Sequence, residues 1–162
     1  MPVSQILQAS LASGVPSSVA RSALPTGSVL QVVQGTTTTQ VSTTGTTLID
    51  TGLTASITPT SASSKILVLV EQSSCGKENN ERLKLVLLRN STQICNITQL
   101  AGYTATTVAN NIGSISTSFL DSPATTSATT YKTQFSTING VGEVFVQWNP
   151  STSTITLLEI AA

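Results

Sequence analysis

Apolar residues in this chain recur at every second position, in short runs, from about residue 28 onward. Leu53, Ala55 and Ile57 alternate with Thr54, Ser56 and Thr58. That period puts the three aliphatics on one face of an extended strand and the three hydroxyls on the other. The same pattern, bounded each time by turn residues, predicts strands over 28–34, 37–42, 46–50, 53–58, 92–98, 114–120, 129–137, 143–148 and 152–160. Residues 65–72, KILVLVEQ, are apolar on both faces and read as a central strand buried on both sides. Residues 82–89 are leucine-rich, which favours helix, but Asn90-Ser91 closes them at hairpin spacing before 92–98, so they too read as strand. No long helical period appears. About ten short strands with this spacing specify an all-β, jelly-roll-like antiparallel β-sandwich over residues 28–162.

Residues 1–27 differ. They are rich in Ser, Ala, Gly and Pro, and Pro16 and Pro25 interrupt any helix. Yet they carry spaced aliphatics, including Ile6, Leu7, Leu11 and Val15, which a bare linker does not need. We read this segment as an arm that docks on a partner through those four side chains. The N-terminus has no basic region followed by an apolar stretch, so no secretory signal is expected, and synthesis is expected in a cytoplasm. The longest aliphatic runs, 66–70 and 85–88, are too short to span a bilayer.

The surface expected from this composition is hydroxylated and nearly uncharged. The chain has 28 Thr and 23 Ser among 162 residues, while seven basic and seven acidic residues give a net charge of zero. Such a balance offers no electrostatic pull toward nucleic acid or an anionic membrane. Charge is dense only at 73–81, which therefore reads as an exposed loop presenting Lys77, Glu78, Asn79 and Asn80. Residues 100–111 read as a second long loop, with Tyr103 as its contact residue.

Chemistry is sparse. There is no histidine, which removes the commonest general base and metal ligand. Cys75 and Cys95 cannot form a tetrahedral zinc site alone and are expected as free structural thiols. Glu78 to Glu81 is the only local set resembling calcium ligands, and a glycosidase pair would have to come from distant carboxylates such as Asp50 and Asp121. No phosphate loop is present. The expectation is a non-enzymatic protein without cofactor or metal.

Four segments carry a resemblance: GSVLQVV at 27–33, SITPTSASSKILV at 56–68, FLDSPATTSATTYKTQF at 119–135 and STITLLEIAA at 153–162. In their order and spacing they resemble virion structural proteins of tailed phages, especially those of cyanobacteria and other aquatic bacteria, over about residues 27–162. The strand succession is also similar to the trimeric jelly roll of the C1q and tumour-necrosis-factor families. That resemblance implies a homotrimer whose last strand lies centrally, near the three-fold axis.

The residues independently suggest association. Val144, Val146 and Trp148 alternate with Phe145, and Ile155 and Leu157 alternate with Leu158 and Ile160, so both faces of these strands are apolar. A two-layer sandwich needs one apolar face per strand, and the surplus points to subunit contacts through Phe145, Trp148, Ile155, Leu157, Leu158 and Ile160. Two roles follow for a virion protein. One is a capsid decoration, or cement, protein bound to the major capsid protein through the arm. The other is a tail-fibre tip that attaches to tail or adaptor proteins and recognises a host surface glycan. With about 27 residues ahead of the sandwich, no fibre shaft is expected, which favours decoration.

Overall fold

A computed structural model describes residues 24–162, and among them the regular structure is entirely β. The arm positions Ile6, Leu7, Leu11 and Val15 lie outside the described residues. Ten strands follow in order: β1 (Val29–Thr37), β2 (Val41–Thr43), β3 (Ile49–Ile57), β4 (Lys65–Lys77), β5 (Leu83–Arg89), β6 (Thr92–Ala101), β7 (Asn110–Asp121), β8 (Thr129–Thr137), β9 (Val144–Val146) and β10 (Ser153–Ile160).

Four antiparallel pairs nest inside one another: β1 with β10, β3 with β8, β4 with β7, and β5 with β6. This is one long hairpin wrapped into two sheets. The order β1-β10-β4-β7, with β9 and β2 continuing from the far end of β4, faces the order β3-β8-β5-β6. The connectivity is that of a jelly roll. The register sorts the molecule into two poles. Residues 27–28 and 161 are hydrogen-bonded to each other at one pole, and the β4–β5, β6–β7, β8–β9 and β9–β10 loops gather at the other.

The alternation legible in the sequence fills the space between the sheets. Leu53, Ala55 and Ile57 of β3 meet Ile66, Val68 and Val70 of β4, Ile155 and Leu157 of β10, and Tyr131 and Leu87. A second cluster holds Cys75, Leu83, Leu85, Phe135, Val144 and Val146. Both cysteines are free thiols, and burial pushes that of Cys75 up to about 12. Between the clusters runs a seam of buried neutral polar side chains. Thr51 and Thr133 share a hydroxyl contact of 2.6 Å, Thr133 donates to Gln72 at 2.9 Å, and Gln72 donates to Ser153 at 3.2 Å. The Gln147 amide oxygen accepts from Ser153 Oγ at 3.0 Å while its nitrogen donates to the Thr39 carbonyl at 3.2 Å. A satisfied network of this kind fixes the register of both sheets, since a slipped strand would strand its buried partners.

Three expectations from sequence are corrected. The segments 46–50 and 53–58 fuse into β3, bulged between Asp50 and Thr54, where Gly52 takes the left-handed φ of 83° that the bulge requires. The loop expected at 73–81 is largely strand, because β4 continues to Lys77 and pairs there with β7 and β9. Gly76 makes room on that stretch for the Phe145 ring. Finally, β4 is buried on one face only over residues 65–71: Leu67 is half-buried and Leu69 is 40% exposed, because no third layer covers the outer face there.

Three carboxylates hold loops and edges. Glu81 accepts backbone N–H bonds from Arg82, Ile138, Asn139 and Val141 at 2.9 to 3.1 Å, which closes the β8–β9 loop over the β4–β5 loop. Glu159 accepts from Gln31 and twice from Thr60, tying β1 and β10 to the loop before β4. Asp50 pairs with Lys132 at 2.8 Å. Burial alone would raise all three, but hydrogen bonds outweigh it, helped at Asp50 by the Lys132 charge, and each sits below its ordinary value. A carboxylate depressed by folding adds stability above its unfolded pKa and loses it as pH falls through the folded one. Thermal stability should therefore be flat from neutral pH to about pH 5 and fall steeply below about pH 4. The Glu81→Gln/Glu159→Gln double variant should flatten that acid limb in melts recorded across this range.

Candidate interaction surfaces

The outer face of the larger sheet is where apolar side chains lack cover. The register aligns Val32 of β1, Leu158 of β10, Leu67 of β4 and Leu120 of β7 in a single row across four strands. Val32 is 58% and Leu120 51% exposed, while Leu67 and Leu158 are half-buried by their neighbours. The next row is Gln34, Thr156, Leu69 and Ser118, and the one after it Thr36, Thr154, Glu71 and Ser116. The apolar row thus borders a hydroxylated, concave patch of about 590 Å³ lined by Leu69, Glu71, Ser116, Ser118, Thr154 and Thr156. At a strand spacing of about 4.8 Å, four aliphatics in register make a stripe roughly 15 Å long. A stripe in register across a whole sheet suits another protein surface better than solvent.

The contacts expected from sequence divide here. Leu158 and Ile160 do lie on this outer face. Phe145 is buried on the opposite face of β9 from Val144 and Val146, beside Trp148 and over Gly76. Ile155 and Leu157 are buried within the single chain, because β10 turns those side chains into the sandwich. They cannot also meet another copy. Trp148 is 47% exposed but stands at the loop pole, several residues along β4 from Leu67. Sequence reading missed Val32, Leu67, Leu69 and Leu120 as a surface. The signal was the two-faced run at 66–70, which was read as buried on both sides.

At the loop pole, Glu78, Asn79 and Asn80 are exposed as expected, and Tyr103 is exposed with the Arg82 guanidinium 4.7 Å from its ring centroid. Lys77 is the exception. Expected on an exposed loop, it is fully buried, and its ammonium donates to the Asn79 carbonyl, Thr104 Oγ1 and the Thr106 carbonyl. Those three oxygens satisfy its three donors and pin the loop at 102–109 to the end of β4.

The carboxylates offer no assembled chemistry. Asp121 is taken by Arg89 and the Tyr131 hydroxyl, and Asp50 by Lys132 and Gln134. Glu81 faces backbone N–H groups, so it is not free to join Glu78 around a cation. Among the described residues, no group of three or more His, Cys, Asp or Glu could hold a metal ion. Among them, too, no helix is long and apolar enough to cross a membrane.

No family model matches this chain, and no curated protein matches it in sequence. Among solved structures it is similar to a chain in the structure of infectious bursal disease virus Gt strain. The two are 17% identical with a TM-score of 0.41, and the match covers 91% of this chain and 43% of that one. The present chain therefore spans less than half the length of that protein.

Proposed function

We propose that this protein is a non-catalytic structural component of a tailed-phage particle, a homotrimeric decoration protein that binds the assembled head and stabilises it. The observation that carries the reading is the row Val32, Leu158, Leu67 and Leu120, an apolar stripe that a single copy leaves in water. Three copies packed by this face around a shared axis would cover it, and the resemblance of the four sequence segments to phage virion proteins supplies the setting. An obligate interface of this kind buries upward of about 2,000 Å². The arm carries Ile6, Leu7, Leu11 and Val15 to neighbouring major capsid subunits. Binding only the assembled lattice stabilises that lattice by mass action, and three arms per trimer multiply the effect.

Sedimentation velocity and native mass spectrometry of the full chain should show a trimer. Leu67→Asp and Leu158→Asp should each give a folded monomer with a nearly unchanged far-ultraviolet spectrum. A wild-type monomer at high concentration would remove the basis of this reading. Deleting residues 1–23 should preserve the trimer while abolishing capsid occupancy. A second reading, a tail-fibre tip that recognises a host glycan, is favoured by the exposed Trp148 and Tyr103 at the pole opposite residues 27–28. Immunogold electron microscopy of intact particles separates the two, with label over the head for decoration and at the tail for the tip.

A further inference from the structure

Trp148 is the sole tryptophan of the chain, and it is unusual in being both exposed and rigidly placed. Its ring packs on Phe145 with centroids 4.9 Å apart and a tilt of 43°, and 47% of the residue remains in solvent. Its backbone is pinned on both sides. The Gln147 N–H donates to the Ser73 carbonyl at 3.0 Å, and the Trp148 N–H to the Ser74 carbonyl at 3.2 Å. Ser151 Oγ donates to the Trp148 carbonyl at 3.0 Å and accepts from Ser74 Oγ at 2.7 Å. Ser74, Gln147 and Asn149 around it all hold left-handed φ values, of 44°, 52° and 55°. Non-glycine residues adopt that region at a cost, and clusters of them concentrate at binding corners.

Two shallow grooves of about 190 Å³ each flank the indole. One is lined by Glu78, Asn110, Asn111 and Phe145, the other by Ser74, Asn111, Asn149 and Ser151. Neither lining contains a Lys or Arg. The chemistry is that of a flat apolar ring between side-chain amides, each of which sets a donor beside an acceptor, with hydroxyls and one carboxylate acceptor. A pyranose is complementary to this set: its axial C–H face is apolar and stacks on an aromatic ring, and its neighbouring hydroxyls each need one donor and one acceptor. The lack of a cation disfavours phosphate, sulfate or nucleic acid. Each groove is smaller than the roughly 300–1,000 Å³ of a drug-sized pocket, which suits successive ring units of a chain crossing Trp148.

We propose that the β9–β10 corner is a carbohydrate site, in which Trp148 stacks on a neutral sugar ring and Asn111, Asn149, Ser151 and Glu78 bind its hydroxyls. The site lies at the pole opposite residues 27–28 and 161, so it faces outward whenever the arm is the anchor. It depends on neither the head nor the tail assignment, nor on the trimer. It would give the particle an adhesive outer surface toward neutral polysaccharide.

The sole tryptophan makes the test direct. The full chain is titrated with dextran, mannan, galactan and chitotetraose, and the fluorescence emission of Trp148 is followed. At least one should produce a saturable shift to shorter wavelength, and heparin none. Asn111→Ala should weaken that response at least tenfold. In gels containing the active polysaccharide, Trp148→Ala should run unretarded with a melting temperature within a few degrees of wild type. If Trp148→Ala fails to fold, Asn149→Gly, which relieves the left-handed strain while removing the amide, takes its place with the same expected loss. Silence toward all four neutral probes, retardation of Trp148→Ala equal to wild type, or a heparin response matching the neutral ones would each overturn the proposal.

Discussion

Phe135→Ala should destabilise the protein by about 4 kcal/mol, the range for truncating a fully buried aromatic that leaves a cavity. Phe135 is fully buried, and on β8 it lies in register with Ile49 on one side and Leu85 on the other. It is the only aromatic among the buried members of its cluster, with Cys75, Leu83, Leu85, Val144 and Val146 around it. These neighbours belong to both sheets and are held in place by ladder hydrogen bonds, so they cannot collapse into the void. The polar seam also blocks refilling from the first cluster, since moving Thr133 or Gln72 would break their bonds. In a domain of this size the loss corresponds to a fall in melting temperature of roughly 10 °C. Chemical denaturation monitored at Trp148 measures it, and a change below about 1 kcal/mol would show that the cluster relaxes where a fixed core could not.

Asp121→Ala should cost about 3 kcal/mol. Asp121 ends β7 in one sheet and receives both partners from the other: Arg89 Nη1 of β5 at 3.0 Å from each carboxylate oxygen, and the Tyr131 hydroxyl of β8 at 2.7 Å. Burial first, and then the Asp121 carboxylate, push the Tyr131 phenol up, so it stays a donor at any ordinary pH. Removing the carboxylate leaves a buried hydroxyl without an acceptor and a guanidinium without a counter-charge. Arg89 is 30% exposed and can recover some hydration, which keeps the figure below that of a wholly enclosed pair. Tyr131→Phe should cost only about 1 kcal/mol. In the Tyr131→Phe/Asp121→Ala double variant the two losses should be less than additive, because both remove the same bond. Strict additivity would mean that the contact contributes nothing across the sheets.

The alternation of Leu53, Ala55 and Ile57 was enough to place β3 and its inward face, and the pattern over 129–137 was enough to place β8. Alternation reports only which side chains share a face. It is silent on which face the second sheet will cover, so the 66–70 run was read as buried on both sides and the row from Val32 to Leu120 went unseen. Lys77 departs for a related reason: a charge ordinarily marks exposure, whereas the nearby Asn79 carbonyl and two oxygens of the 102–109 loop satisfy this one inside. Phe145, Ile155 and Leu157 read as contacts between copies because they are apolar, but the wrap of the long hairpin takes Ile155 and Leu157 inward, and Trp148 and Gly76 enclose Phe145. Trp148 reads from sequence as a contact between copies because it ends an apolar run. The left-handed turn after Val146 swings it out instead, and nothing in local composition announces that turn.

The nested pairing has a bearing on how the chain is made. β10 is an interior strand of its sheet, bridging β1 and β4, yet it is the last of the ten to leave the ribosome. Until residues 153–160 emerge, β1 has no partner among the described strands and β4 lacks one whole ladder. Translation at roughly 5–20 residues per second therefore runs for several seconds with Val68 and Val70 lacking Leu157 and Ile155 beside them. A premature stop within the final segment would yield no smaller working domain, only an open sheet edge ready to pair with the nascent chains beside it.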